Sequence, residues 1–158
     1  MTATLIAALT AGLLAAGAPQ ADPAKDEAVK AELKKLDGTW AFQSITVDGQ
    51  EAPPANFSAL RIVQSADGSF TIKATVGAEE RVVAAGKSVI DPSASPKTFD
   101  RTYTEGRDKG GKTFGIYELD GDTLKLCLVK DDAAKRPKEF ASKPGSGQVL
   151  SVLKRVKP

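Results

Sequence analysis

The chain has 158 residues, 41% of them hydrophobic, which suits one domain of about 130 residues beyond any targeting segment. Lys and Arg number 22 against 20 Asp and Glu, a net charge of +2, so no dedicated nucleic-acid surface is expected. Histidine is absent and cysteine occurs once, which excludes Ser-His-Asp and Cys-His catalysis, most zinc sites and any internal disulfide.

Thr2 to Ala18 carries no charge and is rich in Ala, Leu and Gly, closing on Ala15-Ala16-Gly17-Ala18. This reads as a signal peptide over 1–21, cleaved within 17–21. The run is short and weakly apolar for a membrane anchor, and no Cys follows for lipidation. The expected mature protein is a single domain over 22–158, periplasmic or secreted, with no stable membrane span. A short helix follows. Asp22 is placed as N-cap and Pro23 at N1. Asp26 and Glu27 fall in the first turn, Lys34 and Lys35 in the last, with Gly38 at C′. Val29, Leu33 and Leu36 form an i, i+4, i+7 stripe that can dock on a barrel end.

From Gly38 the pattern changes to period two. Strands are predicted over Thr39–Val47, Leu60–Ser65, Phe70–Val76, Glu80–Ile90 with a bend at Gly86, and Lys97–Thr104. Three more follow over Phe114–Leu119, Asp122–Val129 and Gln148–Val156. Asp48-Gly49, Asp67-Gly68 and Asp120-Gly121 mark tight turns. Residues 51–59, 91–96, 105–112 and 130–147 read as loops by composition. Eight strands joined mostly by short turns predict an all-β, up-and-down antiparallel barrel with a short N-terminal α-helix.

The central hairpin is the clearest β signal. A two-residue type I′ loop at Asp120-Gly121 would pair Leu119 with Asp122, Tyr117 with Leu124, and Gly115 with Leu126. Tyr117, Leu119, Leu124, Leu126 and Leu128 then share one strongly apolar face. Phe114, Ile116, Cys127 and Val129 share the other. Tyr117, Leu124 and Leu126 are the candidate residues for a packed core or a ligand cavity.

Other motifs carry little chemistry. Gly106 to Thr113 satisfies the G-x-x-x-x-G-K-[ST] phosphate-loop pattern, but a β-alternating segment follows it instead of the helix that phosphate binding needs. Asp120-Gly121-Asp122 lacks the later ligands of a calcium loop. Asp131-Asp132 reads as a solvated pair, so no metal or cofactor is expected. Cys127, between Leu126 and Leu128, reads as a buried, inert thiol. In Arg136-Pro137-Lys138-Glu139-Phe140, Arg136 is placed to pair with an acidic loop residue and Phe140 to plug a barrel end.

Gly38-Thr39-Trp40 at the first strand, with Arg155 near the end of the last, resembles the lipocalin arrangement. There an arginine covers the tryptophan at the closed barrel end. A guanidinium stacks well on an indole while its donors bond nearby carbonyls, so Trp40 and Arg155 would pin barrel closure. Leu33 to Trp40, Gly115 to Cys127, Arg136 to Phe140 and Leu153-Lys154-Arg155 together resemble a family of small uncharacterised exported domains abundant in planctomycete bacteria. The resemblance spans 33–156 and is loose over 51–104. It implies a lipocalin-like barrel, often exported, with no established biochemical activity.

The expected function is non-catalytic binding of a small apolar molecule outside the cytoplasm, since barrels of this size can hold one ligand. The alternative is a ligand-free module of the cell envelope that binds another exported protein. No acid/base or nucleophile constellation points to an enzyme.

Overall fold

The computed structural model describes residues 22–157, so segment 1–21, expected from the sequence to be a signal peptide, lies outside the described residues. Helix α1 spans Pro23–Leu36; the Asp22 carboxylate caps it, accepting from the Ala24 N–H at 3.0 Å. Acidic Asp26 and basic Lys34 and Lys35 sit at the ends that the helix dipole favours. The strands are β1 (Gly38–Val47), β2 (Gln50–Glu51), β3 (Leu60–Gln64), β4 (Ser69–Val76) and β5 (Glu79–Asp91). They continue with β6 (Thr98–Gly106), β7 (Lys112–Asp120), β8 (Thr123–Lys130) and β9 (Gln148–Arg155). Among the described residues no helix is long and apolar enough to cross a membrane.

Every strand pairs antiparallel with its neighbour in the order β1-β3-β4-β5-β6-β7-β8-β9, and β9 returns to pair with β1. This is a closed eight-stranded barrel, with β2 a two-residue addition beyond it on β1. Closure removes the unpaired edges that an open sheet would present. The predicted bend in the fifth strand is a register shift between Ala85 and Gly86.

The central hairpin forms with its loop displaced by one residue. Asp120 pairs with Thr123, Leu119 with Leu124, Tyr117 with Leu126 and Gly115 with Leu128, so the loop residues are Gly121 and Asp122. Gly121 has φ +55° and Asp122 is not in the positive-φ region, the pattern of a Gly-X turn rather than Asp-Gly type I′. Long-range contacts hold the Asp122 position. Its carboxylate meets Arg155 Nε at 3.3 Å and Lys157 Nζ at 3.2 Å, and its carbonyl accepts from the Arg155 N–H. Each pairing partner moves by two positions, so the faces are those expected from alternation.

The two ends of the barrel differ. At one end α1 lies across the opening and buries Leu33 and Leu36 against Trp40, Ile62, Phe99, Tyr117, Leu124 and Leu153. The other end carries the loops after β1, β4, β6 and β8. There Phe57, buried in the segment joining β2 to β3, packs on Phe42 at 6.4 Å. The outward hairpin face of Ile116, Cys127 and Val129 is also buried, beneath the segment 131–147. That segment is tied down by Arg136, which bonds both Asp100 carboxylate oxygens and the Gly115 carbonyl. The partner of Arg136 is thus a residue of β6, not a loop acid.

Candidate functional site

The closed end is built for closure. Trp40 and Arg155 are cross-strand partners, and the guanidinium carbon lies 4.2 Å from the indole centroid. Its two terminal nitrogens donate to the Lys35 and Asp37 carbonyls at the end of α1, and Trp40 Nε1 donates to the Leu36 carbonyl at 2.9 Å. One cation thereby joins the first strand, the last strand and the carbonyl end of the helix. Gly38 is required in this arrangement. Its φ is +132°, and a Cβ there would meet Arg155 Nη1 at 2.8 Å.

The buried carboxylate of Glu32 completes this end. Lys35 lies 2.9 Å from it, Lys97 contacts its other oxygen, and the Tyr117 hydroxyl donates to it at 3.3 Å. Burial pushes the Glu32 pKa upward, but the hydrogen bonds from Lys97 and Lys35 outweigh that and hold it below the usual carboxylate value. Burial first, and the Glu32 charge second, push Tyr117 well above the ordinary phenol value.

The structure places Tyr117, Leu124 and Leu126 inside the barrel, at 1%, 3% and 1% exposure. They belong to the side-chain-filled half beneath α1, with Phe99 edge-on to Tyr117 at 5.8 Å. Tyr117 also borders a shallow surface hollow of about 360 Å³ shared with Pro92, Pro96, Leu119 and Phe140. Phe140 thus lies beside the β5–β6 loop and the last residues of β7. A second open depression, about 620 Å³, is lined by Lys135, Arg136, Lys138 and Lys143 with Glu139 between them.

The open end holds a different kind of space. A smaller, more enclosed and mostly apolar cavity of about 250 Å³ is lined by Tyr103, Thr113, Leu128, Val129, Gly147 and Val149, with Lys130, which is paired with Asp108, as its one charged lining residue. Register puts Leu128 opposite Val149 and Gly115, and Thr113 opposite Arg101, all on the inward face. Arg101 is 4% exposed. Its guanidinium carbon lies 4.4 Å from the Phe70 ring centroid and 4.9 Å from that of Phe99. Gly86 makes room for Phe70: a Cβ there would meet that ring at 2.9 Å and the Thr102 carbonyl oxygen at 2.0 Å.

Arg101 is electrostatically unmatched. Arg136 and Arg155 have Asp100 and Asp122, whereas Arg101 has no carboxylate partner among the described residues. Its Nε is buried without a hydrogen-bond partner. Among the described residues the other such side-chain atom is Thr113 Oγ1, on its cross-strand neighbour. Burial holds the Arg101 pKa below the ordinary arginine value, an effect partly offset by the neighbouring Tyr103 phenol. A buried unpaired ion costs several kcal/mol, and cation–π contacts return about 0.5–2 kcal/mol each, so stacking offsets only part of the cost. Two unsatisfied polar atoms on cross-strand partner residues, one of which lines the apolar cavity, are the least self-sufficient feature of the interior.

The sequence reading passed over Arg101 and met Thr113 only as the last residue of the phosphate-loop pattern. The signal was available in the alternation Phe99-x-Arg101-x-Tyr103, which sets a cation between two aromatic residues on one strand face. Other singled-out residues have local roles. Gly106 to Thr113 forms the β6–β7 turn, with Thr113 inside a strand. Asp131 accepts from the Lys112 N–H and Asp132 caps the 3₁₀ turn Ala133–Lys135. Cys127 is fully buried, its thiol donates to the Ala141 carbonyl at 3.3 Å, and burial raises its pKa.

No family model matches the chain, and no curated protein is similar to it.

Proposed function

We propose that this barrel binds, without catalysis, one small and largely apolar molecule at its open end, outside the cytoplasm. The observation that carries this reading is the half-open, mostly apolar cavity of about 250 Å³ lined by Tyr103, Leu128 and Val149, at the end that α1 leaves uncovered. Its volume falls just below the usual lower bound of about 300 Å³ for ligand pockets, so the space admits only a small molecule. The lipocalin-like barrel is compatible with such a role. Membership of the planctomycete-type family of small exported domains, and location in the periplasm or outside the cell after loss of 1–21, are parts of the same proposal. The direct test is native mass spectrometry of protein purified from its own host, together with NMR titration of 1-octanol. A retained small molecule, or shifts centred on Thr113, Leu128 and Val149, is expected. Repeated empty preparations and no shifts in that patch would refute the binding role, and an intact Met1 on exported material would refute signal cleavage.

A specific observation favours a second reading, a ligand-free interaction module of the cell envelope. The β4–β5 ladder runs to Val76 and Glu79, past the last partners of β4 on β3 and of β5 on β6, and exposes Val76 and Val82 by 60% and 53%. Under that reading a protein that co-purifies with the wild type is lost from a V76K/V82K variant. An unchanged set of co-purifying proteins excludes it.

A further inference from the structure

We propose that the ligand of the open-end cavity is an organic carboxylate with a short apolar tail, its head group seated on Arg101 and Thr113. This rests on the reading of that cavity as a ligand site and adds the chemical class of the ligand. Arg101 supplies one positive charge with no carboxylate partner among the described residues, and its Nε–H is buried without an acceptor. Thr113 supplies a buried hydroxyl with no partner, directly across the β6–β7 ladder. Both needs are met by one anionic acceptor group placed between them.

The geometry selects a planar head group. The Phe70 and Phe99 ring centroids lie 4.4 and 4.9 Å from the guanidinium carbon, and the Nε–H on its edge is the donor left without an acceptor. A guanidinium edge matches the two in-plane oxygens of a carboxylate. One carboxylate also neutralises one arginine, whereas a phosphate monoester carries about −1.5 to −2 at neutral pH and leaves charge uncompensated in an apolar site. The tail then lies along Leu128 and Val149 in the cavity. Thr113 and Tyr103 line the cavity and Arg101 does not, so the Tyr103 side chain, edge-on to Phe70 at 5.4 Å, must move for the head group to reach Arg101.

The test titrates the mature chain with octanoate, 1-octanol and octyl phosphate by calorimetry, with NMR shifts locating the site. Octanoate is expected to bind about 10- to 100-fold more tightly than 1-octanol, the range of a charged hydrogen bond in a buried site. R101M is expected to bring octanoate down to the 1-octanol level and leave 1-octanol unchanged. It should melt no lower than the wild type, because methionine packs against the Phe70 and Phe99 rings without a charge to bury. T113V keeps the charge, and it should weaken octanoate several-fold with little effect on 1-octanol. Equal affinities for octanoate and 1-octanol overturn the anionic head group while the cavity reading stands. Tighter binding of octyl phosphate overturns the carboxylate assignment. Binding of none of the three at this end refutes the cavity reading and this proposal with it. A large loss of stability in R101M, with octanoate affinity unchanged in T113V, makes Arg101 a structural residue and overturns the proposal.

Discussion

Replacing Arg155 with alanine tests how much of this fold depends on one cation at the closed end. The substitution removes the stack on Trp40 at 4.2 Å, two donors to the helix-terminal carbonyls of Lys35 and Asp37, and the contact with Asp122. The side chain is about three-quarters buried, so each hydrogen bond is taken at about 1 kcal/mol and the cation–π contact at about 0.5–1 kcal/mol. The partly exposed pair with Asp122 adds less than about 1 kcal/mol. Together these predict a loss of about 3 kcal/mol, or roughly 10 °C in Tm for a domain of this size. Urea denaturation followed by circular dichroism measures it, with Trp40 fluorescence reporting on the indole pocket itself. R155K should recover less than half, because an ammonium cannot stack or reach both carbonyls in one plane. Gly38 supplies an internal control: G38A clashes with Arg155 Nη1, so it should cost less in the R155A background than in the wild type. A loss below about 0.5 kcal/mol for R155A, or full rescue by lysine, would refute the closure argument.

Three further outcomes follow from the same contacts. Glu32 has a lowered pKa, so its contribution to stability is complete above the unfolded value near 4.5 and fades as pH falls through the folded value. E32Q should therefore be clearly less stable than wild type at pH 7, with the gap narrowing below pH 4; a gap constant down to pH 3 in urea titrations would count against this. R136M should release segment 131–147 while the barrel stays folded. Cys127, unreactive to thiol reagents in the native wild type, should then react at a rate set by local opening; an unreactive Cys127 in R136M would show that Asp100–Arg136 is not the clasp. G86A should displace Phe70 and weaken ligand binding at the open end several-fold, read by the same calorimetry. Unchanged affinity would separate the bulge from the site.

The features legible in the sequence are local ones. Asp22, Pro23 and Gly38 bound the helix because capping and positive φ are properties of single residues and their immediate neighbours. Period-two alternation assigned Tyr117, Leu124 and Leu126 to the inner face, and parity preserved that face even though the hairpin loop moved by one residue. The pairing of Trp40 with Arg155 was also within reach, since first and last strands must meet in a closed barrel. The tertiary structure decided everything that depends on what covers a face. It placed α1 over the Tyr117 end, filling that half with Leu33 and Leu36, and laid segment 131–147 over Cys127. It moved the turn to Gly121-Asp122 by giving Asp122 two distant cations. It enclosed Arg101 and Thr113 beneath an apolar mouth, because only closure of β6 and β7 into the barrel takes those side chains away from water. Alternation says which side of a strand a residue occupies; the end of the barrel at which it lies, and whether that end is filled, is set by contacts tens of residues apart.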